Sequence, residues 1–202
     1  MELYIIRHGE TDFNRRGIVQ GRGVDSDLNE VGMQQAHSFY KAYHHVPFDK
    51  IFTSTLKRTH QTVQHFIDKG IEWEQLPGLD ELDWGRNEGR VASLEMRNEF
   101  YELTKKWMEG QLDQRFEGGE TPIEVNLRQK EAVEHILKTS ANKVLICMHG
   151  RALRLLLCHL TNKPLSMMDT FPHSNVTLYR LKYHPQGNFE LLDFNNTDHF
   201  YA

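Results

Sequence analysis

The 202-residue chain reads as an α/β protein, a three-layer α/β/α sandwich on a mostly parallel central sheet. Two features predict it. Short, wholly apolar runs, Leu3-Tyr4-Ile5-Ile6 and Val144-Leu145-Ile146-Cys147-Met148, suit strands buried on both faces, as parallel strands are. Amphipathic stretches of helical length separate the strands, and that alternation builds a sheet covered on both sides.

The first strand, at 3–6, stops at Arg7-His8-Gly9. Residues 29–46 predict a helix: Val31, Ala36, Phe39, Tyr40 and Tyr43 fall near one face, and Pro47 ends it. A second strand at 50–53 ends at Ser54. A helix at about 56–69 follows, with Gly70 just beyond it. Leu76-Pro77-Gly78 marks a turn, and 80–89, with acids and glycines around Trp84, reads as a loop. Residues 92–109 form an amphipathic helix, and 110–119 a polar connection broken by Gly118-Gly119. Thr121 caps a helix running to about 138, with Pro122 at its first position and Glu124 three residues after the cap. The strand at 144–148 stops at His149-Gly150, and an apolar helix covers 152–160. Finally, 176–183 and 189–194 flank Pro185-Gln186-Gly187-Asn188 and predict a β-hairpin at the sheet edge. One domain is expected over 1–202, with a helical lid inserted at about 86–120.

Composition narrows the function. Lys and Arg number 24 against 28 Asp and Glu, a net charge of -4, so no general basic face for nucleic acid is expected. No apolar stretch approaches the ~20 residues of a membrane helix, and the run at 3–6, preceded by Glu2, is too short for a signal peptide. A cytoplasmic location without membrane or nucleic-acid partners is the expectation. Cys147 and Cys158 form no CxxC pair and read as small core residues.

In parallel α/β sheets, ligands bind beyond the carboxyl ends of the strands. Three strand ends here carry Arg7-His8-Gly9, Ser54 leading to Arg58, and His149-Gly150. If they converge, two guanidiniums grip phosphate oxygens and one imidazole attacks phosphorus. The second imidazole then donates to the transferring oxygens. A carboxylic acid is also needed to protonate the leaving alkoxide, and Glu81 is the best-placed candidate. Each residue alone has an ordinary reading: a strand-terminal histidine, an ion-paired surface arginine, an exposed acid. The joint pattern points to phosphoryl transfer.

That pattern resembles the histidine phosphatase superfamily, which includes the cofactor-dependent phosphoglycerate mutases. The likeness rests on Arg7-His8-Gly9-Glu10-Thr11 with Asn14, on Leu28-Asn29-Glu30 with Gly32, and on Thr53-Ser54 with Leu56, Arg58, Gln61 and Thr62. Leu79-Asp80-Glu81 with Trp84-Gly85, Gly118-Gly119-Glu120-Thr121 and Met148-His149-Gly150 complete it in order. The resemblance implies a phosphoglycerate mutase-like fold, His8 as nucleophile, and Glu81 as general acid and then base. It implies that Arg7, Arg58 and His149 hold the phosphoryl group with Asn14 assisting, and that Gln20, Gly21 and Gly150 border the pocket. No cofactor and no metal are implied, and the partner is a small phosphorylated metabolite.

Two departures stand out. Gly150 is followed by Arg151, which is expected to point away and pair with an acid, because another cation would crowd the phosphate. Pro172-His173-Ser174-Asn175 stands where relatives often have an asparagine, so His173 is a candidate replacement for that backbone-orienting amide. Elsewhere, His44-His45 reads as a solvated helix end, and Gly21-Arg22-Gly23 lacks the end of a P-loop. Arg97, Lys105 and Lys106 read as a solvated face, and Trp107-Met108 as packing. Three functions compete: a phosphomonoester hydrolase, a phosphoglycerate mutase, and a non-catalytic phosphate-binding protein. The last is disfavoured because all five central groups are present. The hydrolase is favoured over the mutase because Lys105-Lys106 precedes Trp107, with no arginine pair after it to grip a substrate carboxylate.

Overall fold

The computed structural model describes residues 1–201. Its strands are β1 (Glu2–Arg7), β2 (Lys50–Thr53), β3 (Glu72–Gln75), β4 (Lys143–Met148), β5 (Leu178–Tyr183) and β6 (Phe189–Asn196), in one sheet ordered β3-β2-β4-β1-β5-β6. β1, β4, β2 and β3 run parallel, whereas β5 is antiparallel to β1 and forms a hairpin with β6. The helices are α1 (Asp12–Arg15), α2 (Glu30–Tyr43), α3 (Lys57–Ile67), α4 (Leu94–Met108), α5 (Pro122–Leu137) and α6 (Gly150–Leu160).

Alternation along the strands divides the core in two. Leu3 and Ile5 of β1 join Val144 and Ile146 of β4 and the apolar faces of α5 and α6. Tyr4 and Ile6 join Leu145 and Cys147 on the opposite face, against Phe39 of α2 and Val63 and Phe66 of α3. Both cysteines are buried free thiols. No helix among the described residues is long and apolar enough to cross a membrane.

Helix ends follow the sequence signals where local caps exist. Asn29 Oδ1 accepts the Gly32 N–H, Ser93 accepts that of Met96, and Thr121 with Glu124 closes a reciprocal capping box on α5. Helices α3 and α6 lack a side-chain bond from their own cap residues. Their first turns are instead satisfied from distant loops: Asp25 Oδ1 accepts the Lys57 N–H, and Glu81 serves α6.

The structure departs from the expected elements in a few places. Strand β3 was not expected, because Glu72-Trp73-Glu74-Gln75 has neither an apolar run nor an apolar face. It is an edge strand held by its neighbour, with Lys50 of β2 pairing with both Glu72 and Glu74 across the ladder. The four-residue α1, capped by Thr11, is too short for periodicity to reveal. Helix α2 ends at Tyr43 rather than Val46. Helix α6 starts at Gly150, two residues early, because His149 is the last extended residue and the chain turns directly into helix. Strand β5 starts at Leu178 because Val176 has a positive φ of 58° and breaks the strand.

Candidate active site

The register of three parallel strands sets the site. Arg7 lies opposite Met148 and Thr53 opposite Cys147, so the next residues, His8, His149 and Ser54, emerge together at one edge. Two backbone bonds extend the ladders just past the strands, His8 N–H to Met148 O at 2.9 Å and Ser54 N–H to Cys147 O at 3.3 Å. The two imidazole rings lie with centroids 5.2 Å apart.

His8 is buried, and its Nδ1 lies 2.7 Å from the Gly9 carbonyl oxygen. A carbonyl only accepts, so Nδ1 carries the proton and Nε2 keeps its lone pair. Nε2 has no protein partner among the described residues. The backbone around it is fixed from both sides. Thr62 Oγ1 accepts the Gly9 N–H at 2.9 Å, and Asn175 Nδ2 donates to the His8 carbonyl at 2.9 Å. Asn175 precedes Val176, whose N–H donates to the Arg7 carbonyl at 3.0 Å. The left-handed conformation of a β-branched Val176 is strained, of order 1–3 kcal/mol, and it delivers Asn175 onto His8.

His149 is fully engaged. Arg58 Nε, always a donor, reaches His149 Nδ1 at 3.2 Å, so Nδ1 accepts and Nε2 carries the proton. That proton is donated to Ser54 Oγ at 2.7 Å, Ser54 donates to Thr59 Oγ1, and Thr59 donates to the Leu56 carbonyl. Every hydroxyl in the chain has one consistent direction. Burial, then the Arg58 and Arg7 charges, push His8 well below the ordinary histidine range. The same burial and Arg58 depress His149. Both rings are therefore neutral near pH 7.

The guanidiniums are the positive part of the site. Arg58 is fully buried, with Nη1 donating to the Val24 carbonyl at 2.6 Å and Nη2 to that of Gly21 at 3.3 Å. Arg7 donates from Nη1 to His173 Nδ1 at 3.2 Å, and its Nε is buried without a partner. Burial pushes Arg7 down to about 10, which leaves it charged. Among the described residues neither arginine has a carboxylate ion-pair partner. One buried and one half-buried cation beside two neutral imidazoles, with the Arg7 Nε donor unused, make a seat suited to a compact oxyanion.

Glu81 is buried in the loop that follows the 3-10 turn Pro77–Leu79, and its carboxylate lies over the α6 N-terminus. Oε1 accepts from Ala152 N–H at 2.9 Å and Leu82 N–H at 2.8 Å, and Oε2 accepts from Arg151 N–H at 3.1 Å. It thus caps the helix that begins immediately after His149 and couples the acid loop to the second histidine. Arg128 of α5 holds the loop from behind. It donates to the Gly78, Asp80 and Glu81 carbonyls and pairs in a fork with Glu120, which itself accepts the Asp83 N–H. Sequence reasoning did not single out Arg128. The available signal was the pair Glu120 and Arg128, eight residues apart across a capped helix start.

The remaining expected residues sit nearby in differing ways. Asn14 Oδ1 and Gln20 Nε2 both turn to Thr11, leaving the Asn14 amide donors without a protein partner among the described residues. Gly21 contributes its carbonyl to Arg58. Gly9 and Gly150 are needed for close approach: an added Cβ would lie 2.7 Å from Gly32 O and 2.7 Å from His173 Cε1, respectively. Arg151 pairs with an acid as expected, Asp169 at 2.7 Å, and lies over Phe100 and Trp107. His173 does not replace the orienting amide. Asn175 fills that place, while His173 accepts from Arg7. His44 and His45 are exposed, as are Arg97, Lys105 and Lys106; Trp107 is buried, but Met108 is half-exposed.

A pH effect on stability follows. Burial holds His8 and His149 below the usual value, and pushes His173 to about 3 and His199 to about 4. As pH falls through about 6.5 the unfolded chain binds protons that the folded chain refuses. Stability, full above that pH, is expected to fall by up to about 1.4 kcal/mol per unit for each such histidine. Urea midpoints at pH 7 and pH 4.5, without phosphate, check this; an unchanged midpoint would contradict it.

Comparison with known proteins gives a consistent picture. The family model described as histidine phosphatase superfamily (branch 1) matches residues 3–197. The probable phosphoglycerate mutase GpmB of Yersinia pestis (strain Pestoides F) is 32% identical over 186 residues, covering 91% of this chain and 85% of that protein. The α-ribazole phosphatase structure from Shigella flexneri superposes with a TM-score of 0.84 at 24% identity, over 97% of this chain and 96% of that one. Bacillus stearothermophilus YhfR superposes with a TM-score of 0.82 at 27% identity, over 98% of each chain.

Proposed function

The chain belongs to the histidine phosphatase superfamily, and from that membership we propose that it is a metal-independent phosphomonoester hydrolase working through a phosphohistidine on His8. The observation that carries this reading is the buried Arg58 and half-buried Arg7 guanidiniums, without carboxylate partners among the described residues, beside an imidazole whose Nε2 no described residue engages.

Arg7 and Arg58 bind the phosphoryl oxygens and neutralise their charge. His8 Nε2 attacks phosphorus in line: the N–P bond forms as the P–O ester bond breaks. The leaving oxygen takes its proton from Glu81. In the second step a water gives its proton to Glu81 and its oxygen to phosphorus, the N–P bond breaks, and phosphate leaves. His149 was expected to donate to the phosphoryl oxygens; with Nδ1 accepting from Arg58 and Nε2 donating to Ser54, it instead stays neutral and braces Arg58.

A mutase must retain a small carboxylate-bearing intermediate, best held by a fixed, unpaired guanidinium. Arg86, near the acid loop, is instead bound to both carboxylate oxygens of Glu99 on the surface, and Arg90, Lys105 and Lys106 are exposed. With weak retention, water captures the phosphoryl group. After EDTA treatment and dialysis, the protein is given 3-phosphoglycerate with a trace of 2,3-bisphosphoglycerate, in parallel with a simple phosphomonoester. Phosphate release is expected to outrun 2-phosphoglycerate formation. Isomer formation exceeding phosphate release tenfold would make the mutase reading correct, and activity restored only by added Mg²⁺ or Zn²⁺ would overturn metal independence.

A further inference from the structure

We infer that the leaving group of the substrate is a bulky apolar group, seated between α4 and the loop after Glu81. This deepens the hydrolase reading and rests on it.

A cavity of about 320 Å³ opens there, walled mainly by Val19, Trp84, Met96, Phe100 and Phe116, with the Gln20 side chain at one side. Trp84 organises its aromatic side, with ring centroids 5.4 Å from Phe100 and 6.3 Å from Phe116. A dry cavity of roughly half this volume is enough to take a benzene ring, so a bicyclic ring or a medium-length alkyl chain fits here.

Three links join this cavity to the phosphate seat. Gln20 Nε2 donates at 2.8 Å to Thr11 Oγ1, three residues after His8. Trp84 lies three residues after Glu81 on the same loop. Phe100 lies under the Arg151 guanidinium, 5.6 Å from its ring centroid, and the Arg151 backbone N–H is a donor to Glu81. The segments that present nucleophile and acid therefore also form or support the cavity wall. An ester whose phosphate is held by Arg7 and Arg58, and whose bridging oxygen faces Glu81, has this space for its organic part. The cation on the wall is Arg97, which is exposed. A small polyol or carboxylate leaving group would leave the aromatic wall empty. An apolar one removes it from water, which favours binding by roughly three- to fourfold per buried methylene.

The test uses n-alkyl phosphates from ethyl to octyl, a series in which leaving-group basicity is nearly constant, with glycerol 3-phosphate for comparison. The expected result is a kcat/KM that rises at least threefold per methylene over the first several carbons and then levels as the cavity fills. Hexyl phosphate should exceed glycerol 3-phosphate by at least 50-fold. In Phe100→Ala the hexyl-to-ethyl ratio should fall at least tenfold, and Met96→Phe, which fills the cavity, should level the series at a shorter chain. Equal kcat/KM across the series, or preference for glycerol 3-phosphate, overturns the proposal. Failure of the hydrolase reading is distinguished by the non-hydrolysable n-alkylphosphonates. If no ester is cleaved, hexylphosphonate binding at least 50-fold tighter than methylphosphonate still supports the apolar seat, and equal affinities overturn it.

Discussion

Replacing His8 with alanine is expected to lower kcat/KM for every phosphate ester by roughly 10⁴–10⁶-fold, the scale on which removal of a catalytic nucleophile acts. The size follows from how completely this ring is prepared. The Gly9 carbonyl fixes the proton on Nδ1, Asn175 and Thr62 hold the flanking backbone, and no group among the described residues engages Nε2. His149 cannot substitute, because both of its nitrogens are committed, to Arg58 and to Ser54. The variant should keep the phosphate seat, since Arg7 and Arg58 are untouched. Inorganic phosphate should therefore still raise its thermal midpoint, as binding to the folded state alone requires. That separates loss of the nucleophile from loss of the fold. Burial and the two arginines depress the His8 value, so the neutral nucleophile persists below pH 6.5. Protonation of His8 should silence the free enzyme only at more acid pH, and the acid limb of kcat/KM reads this.

Glu81→Gln is expected to slow cleavage of alkyl phosphates by about 10²–10⁴-fold, the usual contribution of a general acid. An alkoxide needs that proton, whereas p-nitrophenolate leaves without it, so the phosphorylation step with p-nitrophenyl phosphate should lose far less. Single-turnover rates on the two substrates give the comparison, and equal losses would remove Glu81 from the acid role. Some loss should persist on the aryl substrate in steady state, because the carboxylate also activates water in the second step. The amide retains one carbonyl oxygen to accept from the α6 N-terminus, so Glu81→Gln should fold. Glu81→Ala removes the acceptor altogether and should cost about 0.5–2 kcal/mol of stability as well, the range measured for lost helix caps.

The parallel part of the sheet was legible because its buried strands are short continuous apolar runs, and the helix starts were legible wherever a local cap exists, as at Asn29 and Thr121. Strand β3 was not, because it is placed by its backbone ladder to β2 and by contacts to Thr53 and Lys50 there rather than by an apolar pattern of its own. The same division holds at the site. His8, His149, Arg58 and Glu81 could be picked out because strand ends and motifs carry them. What holds them was hidden: Arg128 gripping three carbonyls of the acid loop, Ser54 setting the His149 tautomer, and Asn175 rather than His173 on the His8 backbone. Such contacts are set by tertiary approach, on which spacing along the chain is silent. The apolar cavity was hidden for the same reason, since Val19, Trp84, Phe100 and Phe116 come from four separate segments.

The central claim is that the phosphoryl group passes through His8. The most direct measurement is a rapid-quench reaction of the protein with a phosphorus-labelled ester, stopped in alkali and followed by mapping of the label. The account predicts a label that is stable in alkali and lost in acid, located on the peptide containing His8. It should form at least as fast as phosphate is released and be absent from His8→Ala. Phosphate release by the wild type with no label on His8, or with label on another residue, would contradict it.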